Sequence, residues 1–279
     1  MATTLVMETV MPNALSNNDR QANLMMNIQE TPEKLQATPT PLAAVKSPFP
    51  LLRASSLEDW LHPESAQFNG LLMERKAWWN DCQGAVDQVS RDLGEDEKLI
   101  VSVKRGPEGF GDFQDVAEKI LQKVNLPQDV KDAVHGDICQ LATTVGELCP
   151  WGDSLLVKLE LIGEKSCRRW HRDYYCARAI VSYNSAGTLY TADDNVNFWE
   201  LEHKGGNERI IRDKSEIRSA GVGDMLFIKG VKFPEPVKGL VHRSPETQYH
   251  DNGLAVNRLV LKVDVPVPAA WESDCDCCP

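Results

Sequence analysis

The rhythm of apolar positions changes near residue 150: before it they recur at helical spacing, and after it they alternate as strands do. Ala85, Val86, Val89 and Leu93 share one helical face, with Asn80 placed to cap it. Val116, Ile120, Leu121 and Val124 make a second such face, with Asp112 as its cap and Pro127 as its stop. Pro127 also stands at the first position of a third helix, running to about Leu148 with Val130, Val134, Ile138, Leu141 and Val145 turned inward. The apolar runs 71–73 and 99–101 read as short strands. This half holds no paired acid and base and no phosphate-binding loop, so it predicts a helical layer supporting something else.

From about residue 153 the runs 155–161, 177–183, 225–229 and 258–264 read as strands, separated by connections that carry Gly, Asn and Asp. In 258–264 the alternation puts Leu259, Leu261 and Val263 on one face and Arg258, Val260 and Lys262 on the other. One face is fit for packing; the other carries two cations. Short strands in this number predict a sandwich, jelly roll or small barrel. The expected fold is α+β, with a double-stranded β-helix (jelly-roll or cupin-like) core over 153–268 and a helical support over 52–150, together one domain spanning 52–268. Residues 1–51, rich in Asn, Thr, Pro, Gln and Met without a period, read as a disordered leader, and 269–279 as a flexible Cys-rich tail. No internal repeat is found.

Composition narrows the partners. The 279 residues carry a net charge of −11, which argues against a nucleic-acid backbone or an anionic membrane as partner. No apolar run approaches the roughly 20 residues needed to span a bilayer. The first residues lack the basic and apolar regions of a secretory signal, and Glu8, Asp19, Glu30 and Glu33 do not suit a transit peptide. The eight cysteines therefore read as reduced thiols in a cytoplasmic or nuclear protein. Cys275, Cys277 and Cys278 in the tail suit capture of a soft metal about as well as they suit a free, reactive terminus.

The chemistry concentrates at His171, Asp173 and His242. His-x-Asp with a distant second His is the ligand set of a facial two-His, one-carboxylate iron site, which leaves metal positions open for substrate and O₂. The long chain between the histidines gives room for several strands to bring them together, which is the geometric reason for expecting a β-helix. His242 follows the apolar pair Leu240-Val241, whereas His250 sits in a polar loop and is set aside, as are His62, His135 and His203. Arg258 offers a two-pronged donor for a dicarboxylate co-substrate. Arg178, central in an apolar strand, and Tyr183 at the end of that strand are the candidate catalytic residues. Lys165, Arg168, Arg169, Arg172 and Arg243 add a cationic surround, of which Arg168, Arg169 and Arg172 read as solvated or paired with nearby acids.

Two functions fit this set. One is an Fe(II), 2-oxoglutarate-dependent oxygenase acting on an unknown small molecule or protein. The other is a non-enzymatic protein holding zinc, with Cys167 or the tail as accessory ligands. If the ligand side chains diverge in space, the barrel is purely structural.

The blocks Cys167-Arg168-Arg169-Trp170-His171-Arg172-Asp173, Ala177-Arg178 through Tyr183 to Gly187-Thr188, Gly223-Asp224 to Lys229-Gly230, and His242-Arg243-Ser244-Pro245 resemble the family known as domain of unknown function 1826. The resemblance covers 52–268. It departs at Ser185-Ala186, where the family pattern has Gly-Pro. The family has no assigned reaction; an association of some bacterial members with zinc-chaperone-like GTPases implies such a partner and a link to zinc homeostasis. The order of the blocks is also similar to that of Fe(II)/2-oxoglutarate oxygenases. That likeness implies iron held by His171, Asp173 and His242, with the distal carboxylate of 2-oxoglutarate held by Arg258.

Overall fold

The computed structural model describes residues 51–94, 97–234, 237 and 239–271, with the backbone alone of Thr4–Thr9 and Glu272. Its strands are Thr4–Thr9 (β1), Leu51–Ala54 (β2), Gly70–Met73 (β3), Lys98–Lys104 (β4), Ser154–Ile162 (β5), Ala177–Ser182 (β6), Leu189–Tyr190 (β7), Arg218–Ser219 (β8), Met225–Lys229 (β9), His242–Arg243 (β10) and Arg258–Val265 (β11). Eight of them form one sheet in the order β1-β4-β5-β11-β6-β9-β3-β2, and three short ones form a second in the order β10-β7-β8. The architecture is a mixed one, a large sheet with several helices.

The three amphipathic runs fold as Gln83–Leu93 (α1), Gln114–Leu121 (α2) and Gln128–Leu148 (α3). Asp112 accepts a hydrogen bond from the Gln114 N–H at 2.8 Å, one residue ahead of the capping position of α2, which Phe113 occupies. Asn80 does not cap α1, which starts later, behind Cys82. Its backbone N–H and side-chain amide both donate to Asp129, at 2.9 and 3.0 Å, tying the approach to α1 onto the start of α3.

Alternation decides which residues meet the helices. The odd-numbered positions of β4, β5, β6, β9 and β11, among them Val101, Val157, Val181, Phe227 and Leu261, pack with Val86, Ile120, Val134, Ile138 and Leu141 in one large core. The even-numbered positions Ile180, Leu226, Ile228 and Val260 face the small sheet and pack with Tyr190, Ala220 and Leu240. The outer face of the small sheet is covered in turn, by Phe198–Glu202 (α4) and Asn207–Ile210 (α5) around Trp170 and Val241. The space between the two sheets is where even-numbered polar residues are sent.

Strand β1 falls in the leader, where no period predicts an element. It pairs parallel to β4, from Thr4 opposite Lys98 to Thr9 opposite Val103, supplying partners for an otherwise open edge. The rest of the leader and the tail cysteines Cys275, Cys277 and Cys278 lie outside the described residues. Among the described residues no helix is long and apolar enough to cross a membrane.

Candidate metal centre between the two sheets

His171 and His242 are brought together by backbone pairing. Each donates its N–H to the carbonyl of the other at 3.0 Å, so an antiparallel bridge sets two residues from distant parts of the chain side by side. Asp173 follows two residues on. The segment carrying it is pinned by the Val231 N–H on the Asp173 carbonyl at 3.0 Å and by the Gly230 N–H on the Cys176 carbonyl at 2.8 Å.

The three side chains converge. One donor atom from each of His171, Asp173 and His242 lies within 4.8 Å of the others. The His171 Nε2 is 3.6 Å and the His242 Nε2 3.5 Å from the Asp173 carboxylate. In each imidazole the other nitrogen is occupied: the Nδ1–H of His171 donates to the Arg169 carbonyl at 2.8 Å, and that of His242 to the Leu240 carbonyl at 3.0 Å. Those bonds leave both Nε2 lone pairs directed at the carboxylate, the tautomer a metal requires. Burial pushes His242 down to about 4, against the pull of Asp173, so its imidazole stays neutral. For Asp173 burial opposes ionisation, but the charges around it, the Arg178 guanidinium on both its oxygens among them, outweigh it and hold the carboxyl well below the usual range. Two imidazoles and one carboxylate, with His171 partly exposed, form a facial donor set that could hold a divalent metal with open positions.

The same cavity, about 330 Å³, is lined by His171, His242, Arg178, Thr188, Arg258 and Lys262. Arg258 is only 7% exposed, and its Nη1 donates to the Ala186 carbonyl at 2.9 Å. No carboxylate lies within ion-pair distance of it among the described residues. Burial pushes it down to about 10, with Glu160 the one charge opposing, and it remains a cation at neutral pH. Lys262, by contrast, is neutralised by Glu160. A buried guanidinium facing a cavity without a paired carboxylate is a costly arrangement unless an anion enters.

The candidate catalytic residues separate. Arg178 points into the cavity, where its Nη1 donates to both Asp173 oxygens at 3.0 and 3.1 Å and its Nε and Nη2 hold Asp264. Tyr183 does not reach the site. It follows the odd-numbered face of β6 into the helical core, where its hydroxyl donates to Asp137 at 2.7 Å and its ring packs on Trp79. Strand parity is the physical reason, since Arg178 and Tyr183 are an odd number of residues apart. His250 lies elsewhere, 2.9 Å from Asp87. Cys167 approaches His171 on its Nδ1 side, at 3.7 Å, away from the converging donors. Among the other cations, Arg172 pairs with Glu202 and Arg243 with Glu246.

Asp264, Lys158 and Glu160 did not stand out in the sequence. The signal was there: charged residues at even positions in strands otherwise fit for burial, the parity that Arg178 and Arg258 share, with Asp264 directly opposite Arg178.

A family model described as "Protein of unknown function (DUF1826)" matches residues 53–264. No curated protein matches the chain. Among solved structures, a full-length Neurospora crassa protein in complex with alpha-KG aligns at 10% identity and a TM-score of 0.35, over 78% of this chain and 84% of that one. A Shewanella oneidensis chain named as a suspected oxygenase aligns at 12% identity and a TM-score of 0.34, over 78% and 91%. Likenesses this distant establish neither a shared ligand nor a shared reaction.

Proposed function

Since this chain belongs to the DUF1826 family, described only as of unknown function, its chemistry has to be read from its own residues, and we propose that it is an Fe(II)- and 2-oxoglutarate-dependent oxygenase. The observation that carries this reading is the buried Arg258, without a carboxylate partner, facing the cavity onto which the His171, Asp173 and His242 donors converge.

The topology supports the same reading. β5-β11-β6-β9 in the large sheet, with a bridge at His171 followed by β10-β7-β8, is the order we would expect of a double-stranded β-helix. We assign this unit, with its helical layer, to residues 52–268. His171, Asp173 and His242 would hold the iron, which when bound supplies O₂ activation coupled to decarboxylation of the 2-oxo acid and oxidation of the substrate. Arg258 would seat the distal carboxylate of 2-oxoglutarate with its free guanidinium edge, an interaction strengthened by exclusion of water. Thr188, lining the same cavity, offers a hydroxyl to that group. Glu160 keeps Lys262 engaged, while Arg258 has no carboxylate within ion-pair distance among the described residues and is available to the dianion. Arg178 is occupied by two carboxylates and is not free to bind substrate.

The test is an anaerobic titration of metal-free protein with Fe(II) and then 2-oxoglutarate, following the weak visible charge-transfer band of the chelated complex. The band is expected in the wild type and absent in His171→Ala; in Arg258→Ala it should require at least about tenfold more 2-oxoglutarate, the loss of a charged hydrogen bond. A wild-type protein that gives no band and binds zinc tightly would overturn the oxygenase reading in favour of metal holding.

A further inference from the structure

Behind Asp173 lies a row of buried charges with no place in substrate binding. Lys158 on β5 donates to Asp264 on β11 at 2.6 Å. Asp264, fully buried, accepts from the Nε and Nη2 of Arg178 on β6 at 2.5 and 3.0 Å. The remaining nitrogen of Arg178, Nη1, reaches both oxygens of Asp173. The signs alternate from Lys158 through Asp264 and Arg178 to Asp173, across three adjacent strands and onto the segment that follows His171.

Burying four charges is expensive unless each is paired with good geometry. Here each is. The sheet register sets the spacing, with Asp264 directly opposite Arg178 across the β11–β6 pair. The guanidinium is planar and both of its edges are engaged, so it cannot rotate without breaking bonds to one of the two carboxylates. The Tyr175 ring, 4.8 Å from the guanidinium carbon, covers one of its faces. A rigid donor bound to both Asp173 oxygens restrains where that carboxylate sits. The backbone bonds of Gly230 and Val231 hold the main chain of this segment and leave the Asp173 side chain to be held by other groups.

From this geometry we propose that Arg178 is the positioning residue of the metal centre. Anchored by Asp264 and Lys158, it holds the Asp173 carboxylate aimed at the two imidazoles before a metal arrives. The proposal rests on the reading of His171, Asp173 and His242 as metal ligands, and it concerns their pre-organisation, whatever the reaction. Partners that orient metal ligands typically change metal affinity by about 10- to 100-fold when removed.

Cobalt(II) is a suitable probe, because its affinity and visible bands can be read without turnover. Arg178→Met and Asp264→Asn should each weaken Co(II) binding, Arg178→Met by about 10- to 100-fold, and alter the band intensities. Arg178→Lys, which keeps the charge without the planar fork, should restore only part of the loss. Tyr183→Phe removes a buried hydrogen bond on the opposite face of the same strand; it should lower the melting temperature and leave Co(II) affinity unchanged. Should Arg178→Met not fold, Arg178→Lys and Asp264→Asn carry the test. Co(II) binding within about twofold of wild type in the folded variants would overturn the proposal. A wild type that binds no Co(II) would overturn it together with the oxygenase reading. A wild type that binds Co(II) but shows no response to 2-oxoglutarate would overturn the oxygenase reading alone.

Discussion

Ser185 holds a left-handed backbone, with φ of 61°, in the turn that follows β6. A side chain there costs about 1 kcal/mol relative to glycine. The Ser185 hydroxyl recovers part of that through a bond to Gln248 at 2.9 Å, but the bond is exposed and therefore weak. Ser185→Gly is expected to stabilise the protein by about 0.5 kcal/mol in urea unfolding. Because the next residue, Ala186, supplies the carbonyl that holds Arg258, the same variant should keep the response to 2-oxoglutarate. A destabilised Ser185→Gly would mean that the Gln248 bond outweighs the backbone strain. The cysteines divide by burial. Cys82 and Cys176 are pushed up to about 11 by desolvation, so at pH 8 both remain thiols, while Cys167 is exposed. Maleimide labelling of the native protein at pH 8, read by peptide mass, should modify Cys167 and spare the other two. Equal labelling of Cys176 would show that its end of β6 opens readily.

Among the elements, the end of β9 is built around a close approach. A Cβ on Gly230 would sit 1.8 Å from the Tyr175 carbonyl oxygen and 2.9 Å from that of Asp173, so no side chain fits without moving the segment that carries the metal ligand. Gly136, inside α3, has nothing within 4 Å of its would-be Cβ. Gly230→Ala should therefore weaken Co(II) binding and lower stability, while Gly136→Ala should raise stability by up to about 1 kcal/mol through helix propensity alone. Equal effects of the two would contradict the packing described around Asp173. The long amphipathic elements were legible in advance for the same physical reason that they are stable. α1, α2, α3 and the strands β5, β6, β9 and β11 each have enough residues for a period to show, and each buries the face its pattern presents. β7, β8 and β10 have two residues apiece, too few to alternate, and their existence depends on what lies beside them. The Asn80 cap failed for a related reason: a polar residue ahead of a helix signals a cap, but a carboxylate on α3 competed for it and won.

For the whole molecule, the buried charges between the sheets make stability depend on pH. Burial opposes ionisation of Asp264, but Arg178 and Lys158 outweigh it and hold the carboxyl below the usual range. Glu160 is lowered in the same sense, against its burial, by Lys262 and Lys98. Unfolded, these groups titrate near about pH 4. A folded value below the unfolded one means that the unfolded chain binds more protons as pH falls. The stabilisation is complete above about pH 5 and is lost progressively below about pH 4. Urea midpoints should fall between about pH 6 and pH 3.5, and Asp264→Asn should flatten that slope; an unchanged slope would remove Asp264 from the account.

By itself the sequence determined the helical layer, the main strands, the apolar face of β11 and the three residues that converge as donors, because each is a local pattern of residue type and period. Tertiary structure decided the rest. Only strand pairing could set His171 against His242, since their contact is made by backbone atoms from distant segments. Only register could assign Arg178 to Asp264 and Asp173 and leave Arg258 without a carboxylate, because which charges neutralise one another depends on which strands are neighbours. Tyr183 lies between the two cases. Its identity suggested chemistry, and its parity, one residue out of step with the cavity-facing positions, sent it into the core.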